Sequence, residues 1–288
     1  MFPALAIAIL ALGATPKVTY LGSSPPLING LPMSNCQALS LDKRGEFIVA
    51  DALNDRIVFL DTLGNYRFDF KLTDNQHNPF GVAINSADEL IIGSMDLPEL
   101  WIYGNDGRFL EEISLPDSVL PGRMIVDSLD NIYLVNRAGD GVLKLDKSGN
   151  LLARYETRQK PLKPSGLCFE PDGDLLMVSF EGSAFIGFGA PGQVKFFKGE
   201  HGRRLEDFSH PTAMIFDSHD ILWVVDSFRH HIKLFDRNWK FIDTFGERGT
   251  GPGDFYFPVD LKMTPSGILG VLDKGSGRLQ LFRVNYEK

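Results

Sequence analysis

Six histidines, two cysteines and one glycine-rich run are the parts of this sequence whose residue types suggest chemistry. The run FGERGTGPGDFYFP, residues 245–258, places four glycines within 246–253. Glycine-rich loops hold phosphate when their N–H groups and the N-terminus of a following helix face the anion, and a P-loop adds Lys and Ser/Thr after its last Gly. Here Asp254 and Phe255 follow, then Pro258 and an extended apolar stretch. The run is expected to link two strands, without a nucleotide. His77, His201, His210, His219, His230 and His231 lack the spacing on a shared strand that a metal site would require. Cys36 and Cys168 stand in no C-x-x-C or haem-attachment pattern, and two cysteines make no disulfide framework.

Composition narrows the classes of partner. The 288 residues are 43% hydrophobic and 23% charged, an ordinary globular balance. The formal net charge is −8, and the densest basic pair, Arg203-Arg204, is followed closely by Glu206 and Asp207. A nucleic-acid partner would need a basic face, so none is expected. Residues 1–14, MFPALAIAILALGA, carry no charged side chain. They are too few to span a bilayer, which takes about 20 apolar residues. They have the apolar middle and small-residue end of a secretory signal, although the basic start is missing. Thr15 stands where a lipoprotein signal would need Cys. The chain is therefore expected to be secreted or periplasmic, with no membrane insertion beyond this segment.

The elements that position everything else come from an internal repeat. Pro79, Pro121, Pro164, Pro211 and Pro258 are spaced by 42, 43, 47 and 47 residues, and Cys36 takes the same place 43 residues before Pro79. Six residues past each marker stand Asp42, Asn85, Asp127, Glu170, Asp217 and Thr264, and three further on Gly45, Asp88, Asp130, Gly173, Asp220 and Gly267. This is tight-turn chemistry. Alternating apolar residues flank it in every copy, for example Val82/Ile84 before and Leu90/Ile92 after. Period two on both sides of a short turn is a β-hairpin. A second strand pair follows, as in RIVFLDTLGNYRFDF (56–70). Six units of four short strands with no helix between them predict an all-β, six-bladed propeller of antiparallel blades.

The sixth copy stops after its third strand. KVTYLG (17–22) is similar to KFIDTFG (240–246), the fourth strand of copy five. The N-terminal strand is thus expected to complete the last blade and hide two sheet edges. One propeller domain is expected over 15–288, monomeric because the ring closes on itself.

The stretches VADALNDRIVFLD (49–61), VVDSFRHHIKLFD (224–236) and VLDKGSGRLQLF (271–282), with the opening glycine run, resemble NHL repeats. The resemblance covers roughly 17–288. Copies one, five and six match well; in copies two, three and four the repeat acid becomes Ser94, Asn136 and Ser179. No Trp is followed by Asp, as a WD40 repeat would require. The resemblance implies that Asp51/Arg56, Asp226/His231 and Asp273/Arg278 brace the loop between second and third strands. It also implies a binding scaffold displaying loops around a channel mouth. Relatives that are amide lyases hold zinc with His just after the repeat Pro, where this chain has Gln37, Phe80, Gly122, Ser165, Thr212 and Val259. The Glu-Gly-Pro motif of gluconolactonase-like relatives is also missing.

Two residues past the marker, the copies give Ala38, Gly81, Arg123, Gly166, Ala213 and Asp260. Small residues suit the crowded axis; Arg123 and Asp260 break the rule on blades that face each other. A buried charge is costly unless paired, so these two are expected to plug the channel as an ion pair or to grip a small polar ligand. His210, Asn78 and Lys163 are the other ligand candidates at the mouth. Cys36 and Cys168 lie on opposite blades and are expected to be free, buried thiols. No catalytic residue, metal or cofactor is assigned. The expected function is a non-enzymatic, extracytoplasmic scaffold that binds a protein, peptide or polymer. The alternatives are a Ca- or Zn-dependent hydrolase or lyase of the lactonase or amide-lyase propeller type, and an RNA-binding module.

Overall fold

A computed structural model describes residues 15–156, 163–181 and 184–286; the apolar segment 1–14 lies outside them. Among the described residues, six four-stranded antiparallel sheets follow one another around a ring. The innermost strands are Cys36–Leu41, Pro79–Ile84, Pro121–Val126, Pro164–Phe169, Pro211–Phe216 and Pro258–Met263, each beginning at a marker of the repeat. Blades are numbered one to six in that order.

The turn chemistry acts as the spacing predicts. Asp42 Oδ1 accepts the N–H groups of Arg44 and Glu46, and Asp127 Oδ1 those of Leu129 and Asn131, all at 2.8–2.9 Å. Three residues later the chain must turn left-handed, and Asp88 (φ 64°), Asp130 (φ 61°) and Gly267 (φ 79°) do so. Gly and Asp tolerate that region better than branched residues.

Burial alternates along the outer strands and is complete on the middle ones. Phe47–Asp51, Leu222–Asp226 and Ile268–Asp273 are buried at every position, because each blade is covered on both faces by its neighbours. The apolar clusters accordingly join adjacent blades. Ile48 and Phe59 of blade one pack with Val82 and Trp101 of blade two; Trp223 of blade five packs with Leu261 and Phe282 of blade six. Each large side chain so buried contributes about 1.5–3 kcal/mol.

The ring closes as expected. The strand Pro16–Ser23 pairs antiparallel with Arg278–Tyr286, Val18 opposite Val284 and Tyr20 opposite Phe282. Tyr20 and Phe282 meet edge to face at 5.7 Å. Cys36 and Cys168 are free and buried.

The channel mouth as a candidate functional site

The repeat acids organise the loops around one end of the channel. In blade one, Asp51 Oδ1 accepts the Ser34 N–H at 2.7 Å, and Asp51 Oδ2 pairs with Arg56 Nε at 2.7 Å. Arg56 then reaches the carbonyls of Ile28 (2.9 Å) and Leu31 (3.3 Å) in the preceding loop. In blade six, Asp273 holds the Tyr256 N–H at 2.7 Å and pairs with Arg278 at 3.0 Å. Arg278 donates to the carbonyls of Gly251 and Asp254. The glycine run is therefore an inter-blade loop tied down by the next blade's arginine.

Blade five departs from the expected pair. Asp226 faces Lys233 Nζ at 2.9 Å, both fully buried, whereas no hydrogen bond joins it to His231. Lys233 also donates to the Asp207 carbonyl, the same loop-fastening role two residues further along the strand. His231 stands directly opposite Asp226, in the register Arg56 holds opposite Asp51. The expected Asp226/His231 brace does not form because the longer Lys233 side chain, two residues on and on the same face, takes the acid in its place. In blade three, one amide replaces the acid and its cation. Asn136 Oδ1 accepts the Leu120 N–H and Asn136 Nδ2 donates to the Ser118 carbonyl, both at 3.1 Å.

These loops surround a cavity of about 590 Å³. Two repeat positions supply most of its wall. The residue after each marker lines it in all six blades, Gln37, Phe80, Gly122, Ser165, Thr212 and Val259. The residue after the repeat acid lines it in four: Arg137, Phe180, Ser227 and Lys274.

Arg123 and Asp260 form the floor. Arg123 Nη1 lies 2.6 Å from Asp260 Oδ2, and its Nη2 donates to the Val259 carbonyl at 2.6 Å. Asp260 Oδ2 also accepts the Leu39 N–H at 2.8 Å. Arg123 borders both the mouth and a second space of about 10 Å³ beneath it, roughly the room of one water. The pair thus separates the mouth from the axis below, and the acid is spent on the arginine and on backbone.

His210 sits in the wall, stacked on Phe228 with ring centroids 4.3 Å apart and 15° between planes, and 5.1 Å from Phe180. Burial holds its pKa below the ordinary imidazole value, favouring the neutral ring, with Asp226 opposing and His201 adding to the shift. Phe228 continues to Phe257 at 5.9 Å, and Phe257 to His230 at 4.7 Å. Across the mouth the guanidinium of Arg137 lies 4.3 Å over the Phe80 ring. Sequence spacing brought Arg123, Asp260 and His210 to this end of the channel. Asn78 and Lys163 hold the same repeat position as His210 but do not line the cavity. The Asn78 side chain donates to Asp96 at 2.7 Å, and Lys163 is exposed. Arg137, Lys274 and the aromatic wall were not singled out by sequence reasoning, although the position after the repeat acid would have shown two of the cations.

As a metal centre this lining is poorly suited. Among its described residues there is one imidazole, no carboxylate, no cysteine and three cationic side chains; zinc takes several His, Cys or carboxylate ligands, and calcium about six to eight oxygens that usually include carboxylates. A separate acidic group, Glu170, Asp172 and Asp174, lies at the turn of blade four, where Lys195 pairs with Asp174.

Six four-stranded antiparallel blades in a ring make this a six-bladed β-propeller, consistent with the NHL-repeat propellers among its curated relatives. No family model matches the chain. NHL repeat-containing protein 3 of Homo sapiens is 24% identical over 176 residues, covering 54% of this chain and 50% of that protein. The Mus musculus counterpart is 22% identical over 210 residues, covering 70% and 51%. The chain spans about half the length of these curated relatives. Among solved structures, a gluconolactonase from Xanthomonas campestris superposes with TM-score 0.70 at 15% identity, over 96% of this chain and 93% of that one. Virginiamycin B lyase from Staphylococcus aureus gives 0.64 at 14% identity, over 86% and 80%. At such identities the likeness is one of fold alone.

Proposed function

We propose that this propeller is a binding scaffold, exported and monomeric, that receives part of a protein, peptide or polymer ligand in the channel mouth. The observation that carries this reading is the cavity itself. Its volume falls in the range of ligand sites, and its wall combines aromatic faces with a few polar groups, the usual make-up of such sites. Phe228 is 57% exposed, an aromatic face presented to solvent at the rim. The metal-assisted hydrolase or lyase of the lactonase and lyase propellers is less well supported, because the positions nearest the cavity offer no donor set for a cation. The RNA-binding reading is opposed by the net charge of −8.

The test is ligand-observed NMR with a chemically diverse fragment library, followed by assays on lactones and amidated peptides with added calcium or zinc. Hits that vanish in Phe228→Ala, with no metal-dependent turnover, are expected. Hits indifferent to Phe228, or turnover that depends on added metal, would overturn the reading.

A further inference from the structure

The chemical class of ligand follows from a charge imbalance inside the mouth, and the inference rests on the reading of the mouth as a binding site. The chain as a whole is acidic, with a formal net charge of −8. The described lining of the mouth is the reverse: Arg123, Arg137 and Lys274, with no carboxylate. Arg123 is neutralised by Asp260. The other two have no ion-pair partner among the described residues. Lys274 Nζ has only the amide oxygen of Gln37, at 3.4 Å, and Arg137 gives one N–H to the Met95 carbonyl at 2.7 Å. Lys274 is half-buried without a counter-ion, which is costly, whereas Arg137 stands exposed at the rim. Desolvation pushes the pKa of both groups down, opposed at Arg137 by Asp96 and reinforced at Lys274 by Arg123.

An anion entering the mouth would relieve this cost, and the rest of the wall shows what the anion is attached to. Phe180, His210, Phe228 and Phe257 form a continuous series of ring contacts. With Phe228 exposed at its rim, the series offers a flat face on which a ring can stack, a favourable arrangement for aromatic pairs. Arg137 is already engaged with Phe80 and a carbonyl, whereas the Lys274 ammonium keeps donors to spare.

We propose that the mouth binds an aromatic carboxylate, its ring stacked against Phe228 and its carboxylate paired with Lys274 in the field of Arg137. The same chemistry is presented by a free aromatic acid and by the C-terminal aromatic residue of a peptide.

Isothermal calorimetry distinguishes these sources and tests the proposal. The probes are 3-phenylpropanoate, the tripeptide Gly-Gly-Phe with a free carboxylate, and the same tripeptide as its C-terminal amide. Both acids are expected to bind, with the amide about tenfold weaker than its acid, the loss of one charge-assisted contact. Lys274→Met should weaken the acids to a similar extent and leave the amide unchanged, while Lys274→Arg retains acid binding. Tighter binding of the tripeptide than of phenylpropanoate would identify a peptide end as the ligand; the converse would identify a small acid; both support the assignment. An amide that binds as tightly as the acid, an acid indifferent to Lys274→Met, or no binding of either acid would overturn it. In each of those cases, fragment hits that still depend on Phe228 would leave the mouth standing as a binding site of other specificity.

Discussion

Arg123 of blade three reaches across the channel to Asp260 of blade six, with Nη1 and Oδ2 2.6 Å apart. Both side chains are almost wholly buried, and the acid also holds the Leu39 N–H. The pair therefore ties three blades, one, three and six, at a single point on the axis. Removing one partner strands the other charge, which costs about 3 kcal/mol. Asp260→Ala and Arg123→Ala are each expected to lower stability by roughly that amount, while Arg123→Met with Asp260→Leu loses much less than the sum of the two. Urea denaturation midpoints of the three variants check this.

The histidines of blade five give the fold an acid-sensitive side. His210, His230 and His231 all have pKa values pushed below the ordinary 6.5, in each case chiefly by burial. A lowered folded value means that the unfolded chain takes up protons first as the pH falls. The stability is therefore fully present above about pH 6.5 and is lost as the pH falls through the folded values. Imidazole titrations by NMR should give midpoints below 6.5 for all three, and melting temperature should drop on acidification through that window. Replacing His210 with Phe should blunt the drop.

The two thiols should be silent in the native state. Burial is the first cause raising both pKa values, reinforced at Cys36 by Asp51, whose Oδ1 lies 3.8 Å from its sulfur. The thiolate is the reactive form. A chromogenic disulfide reagent at neutral pH is expected to titrate no thiol until denaturant is added, and two thereafter.

Closure by the first strand should dominate cooperativity. Deleting residues 16–23 bares the edge of Arg278–Tyr286 and uncovers Phe282 and Val284, which are packed by Tyr20 and Val18. A large fall in melting temperature, with aggregation through the freed edge, is expected by differential scanning calorimetry and light scattering. An unchanged melting temperature would refute the importance of the seam.

Much of this architecture was legible because each blade repeats one set of offsets. The turn acids, the small residues at the axis and the missing fourth strand of copy six are local patterns, and local patterns survive in a single sequence. The Arg123–Asp260 contact was legible for the same reason, as two exceptions to a rule placed half a ring apart. The brace in blade five was not, because Lys233 replaces the expected cation from two residues along the strand, a shift that keeps it on the same face. The aromatic wall was hidden for a different reason. Phe180, His210, Phe228 and Phe257 come from three blades, and only His210 and Phe257 share a repeat position, the one before the marker, so only the folded ring brings the four into contact.

The pairing of Pro16 with Tyr286 has a topological consequence. These two residues are neighbours across one seam, although nearly the whole sequence separates them. A short linker between them would leave every blade intact, and new ends could be opened at an exposed hairpin such as that around Asp172 and Gly173. The order in which the blades are spelled along the chain is thus separable from the shape they make, and a circularly permuted protein should keep the same mouth.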